Sequence, residues 1–489
     1  MKEDLLKLEP KKVWQFFADL TQVPRPSKKE QKAVEYVKKF AQDRGLEYIV
    51  DEVGNVIIRK PATPGMENRK GVILQGHLDM VPQKNSDKEF DFEKDPIQAY
   101  VDGEWVTADG TTLGADNGIG VALALAVLDS DDIEHPPLEA LFTIDEETGM
   151  TGAFNLKPGL LKGDILINLD SEEEGEIYVG CAGGLNANIS FRYEKIGVSE
   201  DTVAYKLSLT GLKGGHSGVD IILGRANAAK LLFRFLYYAH KEFGVQLSDF
   251  SAGNMRNAIP REGFATVVVP KNKEKDFVKA VEEYNEIFRN EYKETDPDLS
   301  FVAQPTDRPD FVIDPVTQDN LIRAVEATPN GVIRMSASME GLVETSTNLS
   351  VVARKDDKFI DVLALIRSSV DSAKQDVADM FEAVYTLANA YSVGFDGEYP
   401  GWKPNMDSEI LHIMKRVYKE KFGKEPKVMA IHAGLETGIL GSKYPNWDMV
   451  SIGPTIKYPH SPDEKVHIGS VQKVWDFLLE VLKNIPEKK

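Results

Sequence analysis

The sequence is poor in cysteine and contains no long apolar run. Cys181 is the only cysteine among 489 residues, which excludes an intrachain disulfide and a cysteine-rich metal site. No stretch approaches the ~20 apolar residues that a membrane-spanning helix needs. The first residues, MKEDLLKLEPKKVWQFF, lack the apolar core and the cleavage site of a signal peptide. These absences predict a soluble, cytoplasmic protein with no membrane partner.

The sequence also contains fewer basic than acidic residues. Lys and Arg total 58 against 78 Asp and Glu, so the formal net charge is −20. A surface of that sign repels nucleic acid and anionic membranes, and neither is predicted as a partner. It is compatible with cationic metals and small zwitterionic substrates. A need for solubility accounts for such a charge equally well.

The remaining composition is that of a globular protein, with 42% hydrophobic and 28% charged residues. Strand and helix patterns alternate in the first third and in the last hundred residues, which predicts an α/β domain. Between them, the order β-α-β-β-α-β predicts a ferredoxin-like module, and a comparable stretch follows over 319–390. We therefore predict a catalytic domain over 1–185 and 394–489. An α+β lid domain over 186–393, with two ferredoxin-like modules, interrupts it.

Histidines and carboxylates cluster where apolar strands are predicted to end. In GVILQGHLDM, Asp79 follows His77 by two residues, on the same side of an extended backbone. A carboxylate beside a metal-bound imidazole fixes its tautomer and raises its basicity. The other members of the pattern lie in loops or turns next to apolar segments: Asp116, Asp145, Glu146, Glu147, Asp170 and His460.

Each piece alone has an ordinary explanation. An Asp in a glycine-rich turn often caps a helix, and the acids Asp145, Glu146 and Glu147 suit a solvated loop. Together they indicate more, because open α/β sheets hold ligands where their strands end. Consecutive acids after a hydrophobic strand are costly unless cations are close. Two histidines and several carboxylates without cysteine suit a hydrolytic Zn²⁺, Mn²⁺ or Co²⁺ site.

The ordered motifs HLD, GADNG, DEETG, NLDSEE and PHSPDE resemble those of the dinuclear zinc peptidases. That family includes carboxypeptidase G, aminoacylase and carnosinase. The resemblance covers essentially the whole chain and implies a mixed-sheet catalytic domain with an inserted lid. Within the family, segments such as GHLDMVPQK and HAGLETG are most similar to the subgroup that hydrolyses Xaa-His dipeptides. One departure is Thr437, which stands where that subgroup is expected to have cysteine.

The resemblance implies a role for each residue of the motifs. Asp79 would orient His77, and Glu146 would be the general base that deprotonates the water bridging the metals. The peptide bond after Asp116 is expected to be cis. The implied cofactors are two divalent ions, zinc first and manganese or cobalt as alternatives. One ion would take His77 and Asp170, the other Glu147 and His460, and both would share Asp116.

Further roles fall in the lid and near the end of the chain. His216, in GGHSG, resembles a lid histidine that hydrogen-bonds the tetrahedral oxyanion, although it could instead cap a helix or satisfy a loop. Asn348 and Arg367 resemble residues that bind the substrate's terminal carboxylate, for which Arg offers a planar fork. Asn257 resembles the same motif in the first module, where it is either substrate-binding or a vestige. His432, in HAGLETG, is expected to line the substrate pocket.

The predicted function is metal-dependent hydrolysis of unblocked dipeptides of the Xaa-His type. By resemblance, Asp rather than Glu at position 170 favours dipeptidases and aminopeptidases over carboxypeptidases and deacylases. The first alternative is a tripeptidase or N-acyl amino acid deacylase of the same family. An alternative of another class is a catalytically silent binding or scaffold protein. A lid with two modules is compatible with a monomer or a homodimer.

Overall fold

The computed structural model describes residues 2–489, and their contacts divide them into two units. Unit 1 comprises the described residues up to Gly180 together with Pro404–Ala430 and Leu435–Lys489. Unit 2 comprises Cys181–Lys403 and the short segment Ile431–Gly434. The observed limits at 180 and 403 lie five and ten residues from those predicted at 185 and 393. Unit 2 extends further because the strand Ser392–Tyr399 belongs to its sheet.

Unit 1 is built around an eight-stranded mixed sheet. Its four central strands are parallel, and all but one of their residues are buried, as apolar parallel strands require. The edge strands pair antiparallel. In spatial order the strands are Glu47–Val50, Val56–Lys60, Leu138–Thr143, Val72–His77, Ile165–Asn168, Asp448–Ser451, Glu176–Cys181 and Lys427–Ile431.

Helices and a small second sheet complete unit 1. The second sheet orders its strands as Ile456–Lys457, Lys465–His467, Trp105–Ala108 and Ala99–Asp102. The helix Ala115–Asp129 is buried from Ala115 to Leu128, and from Gly118 to Leu128 all its residues are apolar. The other helices are Lys2–Leu5, Lys11–Thr21, Gln31–Asp43, Glu146–Gly149, Thr151–Asn155, Glu409–Phe422, Glu436–Lys443 and Ile468–Lys483.

Unit 2 contains the two predicted ferredoxin-like modules, and one is nested inside the other. The inner module runs Thr202–Thr210, Ala228–Phe243, Gln246–Ala252, Gly263–Pro270, Glu274–Glu291 and Ser300–Thr306. The outer module runs Gly183–Arg192, Pro315–Ala327, Val343–Arg354, Phe359–Ser368, Asp371–Leu387 and Ser392–Tyr399. The first strand of the outer module therefore precedes the whole inner module. The sequence indicated two modules but not this nesting.

The two modules share one antiparallel sheet and one apolar core. Ser251 and Ala252 of the inner module pair with Ala353 and Val352 of the outer one. The strand Gly331–Met335 is added beside Val343–Arg354. Unit 2 also has short paired strands and two 3-10 turns: Lys195–Ile196, Gly215–His216, Ala258–Ile259, Val312–Ile313, Ile221–Leu223 and Lys271–Lys273. Across residues 2–489, no helix combines the length and apolarity needed to cross a membrane.

Candidate metal centre

The predicted metal ligands of unit 1 lie where its central strands end. His77 is the last residue of its strand, and Asp170 comes two residues after the end of the neighbouring strand. Glu146 and Glu147 open a short helix just after the strand Leu138–Thr143. Because the carboxyl ends of parallel strands meet at one edge of the sheet, these side chains come together there.

Asp116 stands between two histidines that are far apart in the sequence. Its Oδ1 lies 3.1 Å from His77 Nε2, and its Oδ2 lies 3.0 Å from His460 Nε2. Asp170 Oδ1 completes one side at 3.4 Å from His77 Nε2. Glu147 Oε2 completes the other at 3.0 Å from His460 Nε2. The structure thus brings all five predicted ligands into one cluster, with Asp116 directing one oxygen to each half.

The donor atoms of this cluster fit two divalent cations. One group comprises His77, Asp116 and Asp170, and a second comprises Asp116, Glu147 and His460; within each, the ligand atoms lie within 4.8 Å of one another. Imidazole nitrogens with carboxylate oxygens suit zinc, manganese or cobalt. Glu146 also comes within this range, in a third group with His77 and Glu147.

The electrostatics of the cluster also favour bound cations. Burial, with the charges of Asp170 and Glu147, raises the pKa of Glu146 well above its ordinary value. Burial and Asp116 do the same to the pKa of Asp170. Hydrogen bonds with Asp116 and Glu147 raise the pKa of His460 to about 11. The cluster therefore holds more negative charge than its surroundings stabilise, and divalent cations would compete with protons for it.

Asp79 connects the first metal ligand to both glutamates. It is fully buried, and its Oδ1 lies 3.2 Å from His77 Nδ1. The same carboxylate accepts backbone hydrogen bonds from Glu146 at 3.0 Å and from Glu147 at 3.2 Å. Ser27 Oγ donates to it at 2.7 Å. Burial opposes ionisation, but the bond with His77 lowers the pKa of Asp79 to about 2. Asp79 therefore contacts the ring of His77 and the backbone of the two glutamates.

The peptide bond between Asp116 and Asn117 is cis, as the motif predicts. Both residues depart from helical backbone angles at the start of the buried helix. The Asn117 side chain accepts from the His77 backbone N–H at 3.0 Å and donates to the Leu169 carbonyl at 2.8 Å. The turn that carries Asp116 is thereby tied to the strands that carry the other ligands.

In unit 2, the local structure fixes the tautomer of His216. Its Nδ1 accepts hydrogen bonds from the backbone N–H groups of Gly218 and Val219, both at 3.1 Å. Burial, and then the charge of Arg367, lower the pKa of His216. The ring is therefore neutral at neutral pH. Because Nδ1 is an acceptor, the ring proton is on Nε2, which leaves that atom as a hydrogen-bond donor.

Arg367 and His432 form a second polar group of unit 2. Arg367 is 5% exposed and donates to Tyr399 Oη at 3.1 Å and to Ser217 Oγ at 3.2 Å. His432 Nε2 lies 2.6 Å from Ser346 Oγ, and burial lowers the pKa of His432 to about 3. Arg367 Nε and His432 Nδ1 are buried without a hydrogen-bond partner among residues 2–489. These two nitrogen atoms are therefore available to bond a ligand, whereas the other side-chain nitrogens of Arg367 and His432 already have partners.

The two predicted asparagines differ in exposure. Asn348 is fully buried, and its amide nitrogen donates to the Ala258 carbonyl at 2.9 Å and to Ser350 Oγ at 3.0 Å. Asn257 is exposed, and its backbone carbonyl accepts from the backbone N–H of Ser217 at 2.9 Å. Asn348 therefore supports the loop that carries Asn257, whose side chain faces solvent.

Comparison with known proteins identifies the family of this chain. The family model described as peptidase family M20/M25/M40 matches residues 73–484. The chain belongs to this family. It is 49% identical over 485 residues to the cytosol non-specific dipeptidase of Escherichia coli (strain K12), covering 99% of this chain and 100% of the relative.

Solved structures place the M20 peptidase fold over the whole chain. The aminoacylhistidine dipeptidase of Vibrio alginolyticus shares 49% identity and a TM-score of 0.96, with 99% of both chains covered. The aminopeptidase PepT of Bacillus cereus shares 16% identity and a TM-score of 0.57 over 98% of this chain and 99% of that one. The second comparison supports the fold alone. The predicted family and fold class are confirmed.

The M20 peptidase also contains a buried network that our reading of the sequence missed. Glu436 accepts from Gln75 Nε2 at 2.8 Å and from Thr143 Oγ1 at 2.9 Å. Gln75 Oε1 in turn accepts from Asn168 at 2.5 Å, and Asn168 accepts from the backbone N–H of Asp170 at 3.1 Å. The signal was present in the sequence, because Gln75 lies inside an apolar strand and Asn168 ends another. The network supports the backbone of Asp170.

Proposed function

We propose that this M20 peptidase is a metal-dependent dipeptidase that hydrolyses unblocked dipeptides, including those of the Xaa-His type. The observation that carries the proposal is the pair of ligand sets sharing Asp116. Full-length similarity to two dipeptidases supports the substrate class. The proposed substrates are small peptides, and the proposed location is the cytoplasm. The enzyme is proposed to act as a monomer or a homodimer.

The five ligands would hold two divalent ions, with zinc first and manganese or cobalt as alternatives. Such ions lower the pKa of water and polarise the scissile carbonyl. Glu146 takes the role of general base, because the two sets that share Asp116 are complete without it. Its carboxylate accepts the proton of the attacking water and passes it to the leaving amine. Asp79 keeps Glu146 in place by accepting a hydrogen bond from the backbone N–H of Glu146.

We assign His216 to stabilisation of the oxyanion. Its Nε2 carries the proton in the neutral ring, because two backbone N–H groups occupy Nδ1. In general, a neutral donor that bonds developing negative charge stabilises the transition state more than the ground state. The alternative role, in which His216 bonds its own loop, is compatible with this one, because the loop bonds use Nδ1 and the oxyanion would bond Nε2.

Arg367 is the proposed site for the substrate's terminal carboxylate, and His432 and Asn257 are proposed to bind substrate. Arg367 presents a planar fork, and its buried Nε has no hydrogen-bond partner among the described residues. His432 stays neutral because its pKa is about 3. Asn348 joins the proposed set through its hydrogen bond to the loop of Asn257.

The proposed reaction is tested with a panel of matched peptides. We expect chelator-treated protein to be inactive, and Zn²⁺, Mn²⁺ or Co²⁺ to restore hydrolysis of Ala-His and of dipeptides without histidine. N-acetyl-Ala-His, which differs only in its blocked amine, serves as the matched control and should not be cleaved. Release of free amino acids is measured by chromatography.

Other outcomes of the panel identify the alternatives. Cleavage of the acetylated peptide, or of tripeptides in preference to dipeptides, would replace the proposal with the deacylase or the tripeptidase. Folded protein that turns over no substrate and binds none of the three metals would favour the silent scaffold.

Replacing Arg367 with alanine should raise KM for dipeptides with little change in kcat. A charge-assisted hydrogen bond is worth about 1.5–3 kcal/mol, which corresponds to about 10- to 100-fold in KM. Steady-state kinetics on Ala-His and on its C-terminal amide measure the effect. The amide lacks the carboxylate, so Arg367→Ala should not weaken its binding further. An equal loss for both substrates, or none for Ala-His, would contradict the assignment. Arg234→Ala, at a surface ion pair with Glu291, is the control.

A further inference from the structure

Glu464 is a buried carboxylate whose hydrogen bonds all go to one loop. It is 2% exposed. Its Oε1 accepts from the backbone N–H groups of Leu113 at 2.8 Å and Gly114 at 2.9 Å. Its Oε2 accepts from the backbone N–H of Asp116 at 3.1 Å. A single side chain therefore fixes the backbone on both sides of Ala115, up to the residue shared by the two ligand sets.

Glu464 also belongs to the loop that carries His460. The two residues are four apart, and the backbone N–H of Glu464 donates to the Ser461 carbonyl at 3.1 Å. The Glu464 carbonyl accepts from Thr107 Oγ1 at 2.8 Å, which ties the loop to the small second sheet. Asp116 and His460 are 344 residues apart in the chain, and Glu464 links the segments that carry them.

Arg25 holds the same loop through its carbonyl groups. The guanidinium is 2% exposed and donates through Nη2 to the Gly114 carbonyl at 2.7 Å. Nη1 donates to the carbonyls of Leu78 at 3.1 Å and Asp79 at 3.3 Å. The charge of Glu464 favours the ionised guanidinium, although burial lowers the pKa of Arg25 to about 10. The loop is thus held by a buried carboxylate at its N–H groups and by a buried guanidinium at a carbonyl.

The close approach of the Arg25 guanidinium to this loop explains why two positions of the GADNG motif are glycine. A Cβ at Gly114 would lie 2.6 Å from Arg25 Nη2, and one at Gly118 would lie 2.7 Å from the same atom. Gly114 also has a φ of 74°, a value that favours glycine. The motif therefore encodes the packing of Arg25 as well as the placement of Asp116.

We propose that Glu464 is a positioning residue of the metal centre, which fixes the Asp116 carboxylate relative to His460 so that it can bridge two cations. Arg25 supports it from the carbonyl side of the loop. The inference rests on the proposed dinuclear metal centre. It assigns to the end of the PHSPDE motif a role distinct from that of the ligand His460.

The test is the variant Glu464→Gln, with Mn²⁺ as the probe. Glutamine offers one acceptor oxygen, so its NH₂ group would face a backbone N–H that the wild-type carboxylate satisfies. We expect Mn²⁺ binding to weaken by about 10- to 100-fold, as found when the partners of metal ligands are removed. The electron paramagnetic resonance spectrum should lose the exchange-coupled signal of a bridged pair in favour of isolated ions. In steady-state kinetics, kcat should fall while KM for Ala-His stays unchanged.

Glu139→Gln is the matched control. Glu139 is also buried, at 6% exposure, and its carboxylate accepts from the backbone N–H groups of Lys162 and Gly163 at 2.9–3.0 Å. It lies at the start of the strand Leu138–Thr143, whereas the metal cluster lies beyond the end of that strand. The control should lose stability comparably and keep the coupled Mn²⁺ signal.

The outcomes separate this inference from the proposed function. If the wild-type protein binds a coupled Mn²⁺ pair and Glu464→Gln binds it with the same affinity, the positioning role alone is overturned. If Glu139→Gln loses the coupled Mn²⁺ signal to the same extent as Glu464→Gln, the positioning role is also overturned. A wild-type protein that binds no Mn²⁺ pair would overturn the inference together with the metal centre. Should Glu464→Gln fail to fold, Glu464→Asp, which keeps both oxygens on a shorter side chain, is measured in its place, with weakened coupled binding expected.

Discussion

Replacing Glu146 with glutamine should lower kcat for dipeptide hydrolysis by about 10²- to 10⁴-fold while both metal ions stay bound. Glutamine keeps the size of the side chain but cannot accept the proton of the attacking water. The backbone of residue 146 should not move, since its N–H still donates to Asp79. Stopped assays with purified protein, together with metal analysis of the same samples, measure both quantities.

The adjacent Glu147 provides the matched contrast. Glu147 Oε2 lies 3.0 Å from His460 Nε2 and belongs to the second ligand set. We expect Glu147→Gln to lose metal from that set, and its activity to recover in part at high metal concentration. Glu146→Gln should show no such recovery. If the two variants exchanged behaviours, the assignment of base and ligand would have to be reversed.

Replacing His216 with alanine should reduce kcat by about 10²- to 10³-fold, which is the effect of removing one oxyanion donor. The metals should remain at full occupancy, because the ligand groups of unit 1 do not include this residue. KM should change less than kcat, since the hydrogen bond is strongest in the transition state. His412→Ala removes an exposed histidine and should leave both constants unchanged.

The pH dependence gives this second prediction a further check. Burial and Arg367 lower the pKa of His216 below its ordinary value of 6.5, so the ring is already neutral at pH 7 and stays neutral at higher pH. The ratio of wild-type to variant kcat should therefore be constant between pH 7 and 9. A ratio that falls steadily over that range would mean that a protonated His216 is the active form.

The strand-end placement of the site could be predicted because it depends on local pattern. His77 and Asp170 end or follow apolar runs, and the parallel arrangement of those strands brings their ends to one edge. The repeated β-α-β-β-α-β order was also visible. The nesting of the modules was not, because Gly183–Arg192 pairs with strands about 170 and 200 residues later. Pairing over such distances leaves no trace in short-range periodicity.

The supporting residues were missed for a related reason. Glu464 and Arg25 bond backbone groups, and a sequence does not show which backbone groups lie near which side chain. Glu464 stood inside a motif that was read only for its histidine. Two buried polar residues within apolar strands, Gln75 and Asn168, were readable as a signal of internal hydrogen bonding.

The nested order of the chain has a consequence for synthesis on the ribosome. Residues up to Lys403 of unit 2 are made before Leu435–Lys489, the last segment of unit 1. Since domains fold as units while the chain grows, unit 2 can complete its sheet while unit 1 still lacks a central strand, Asp448–Ser451. His460 and Glu464 follow that strand in the sequence and are made after it. A nascent chain therefore lacks a complete pair of candidate ligand sets until the segment that carries His460 has been made.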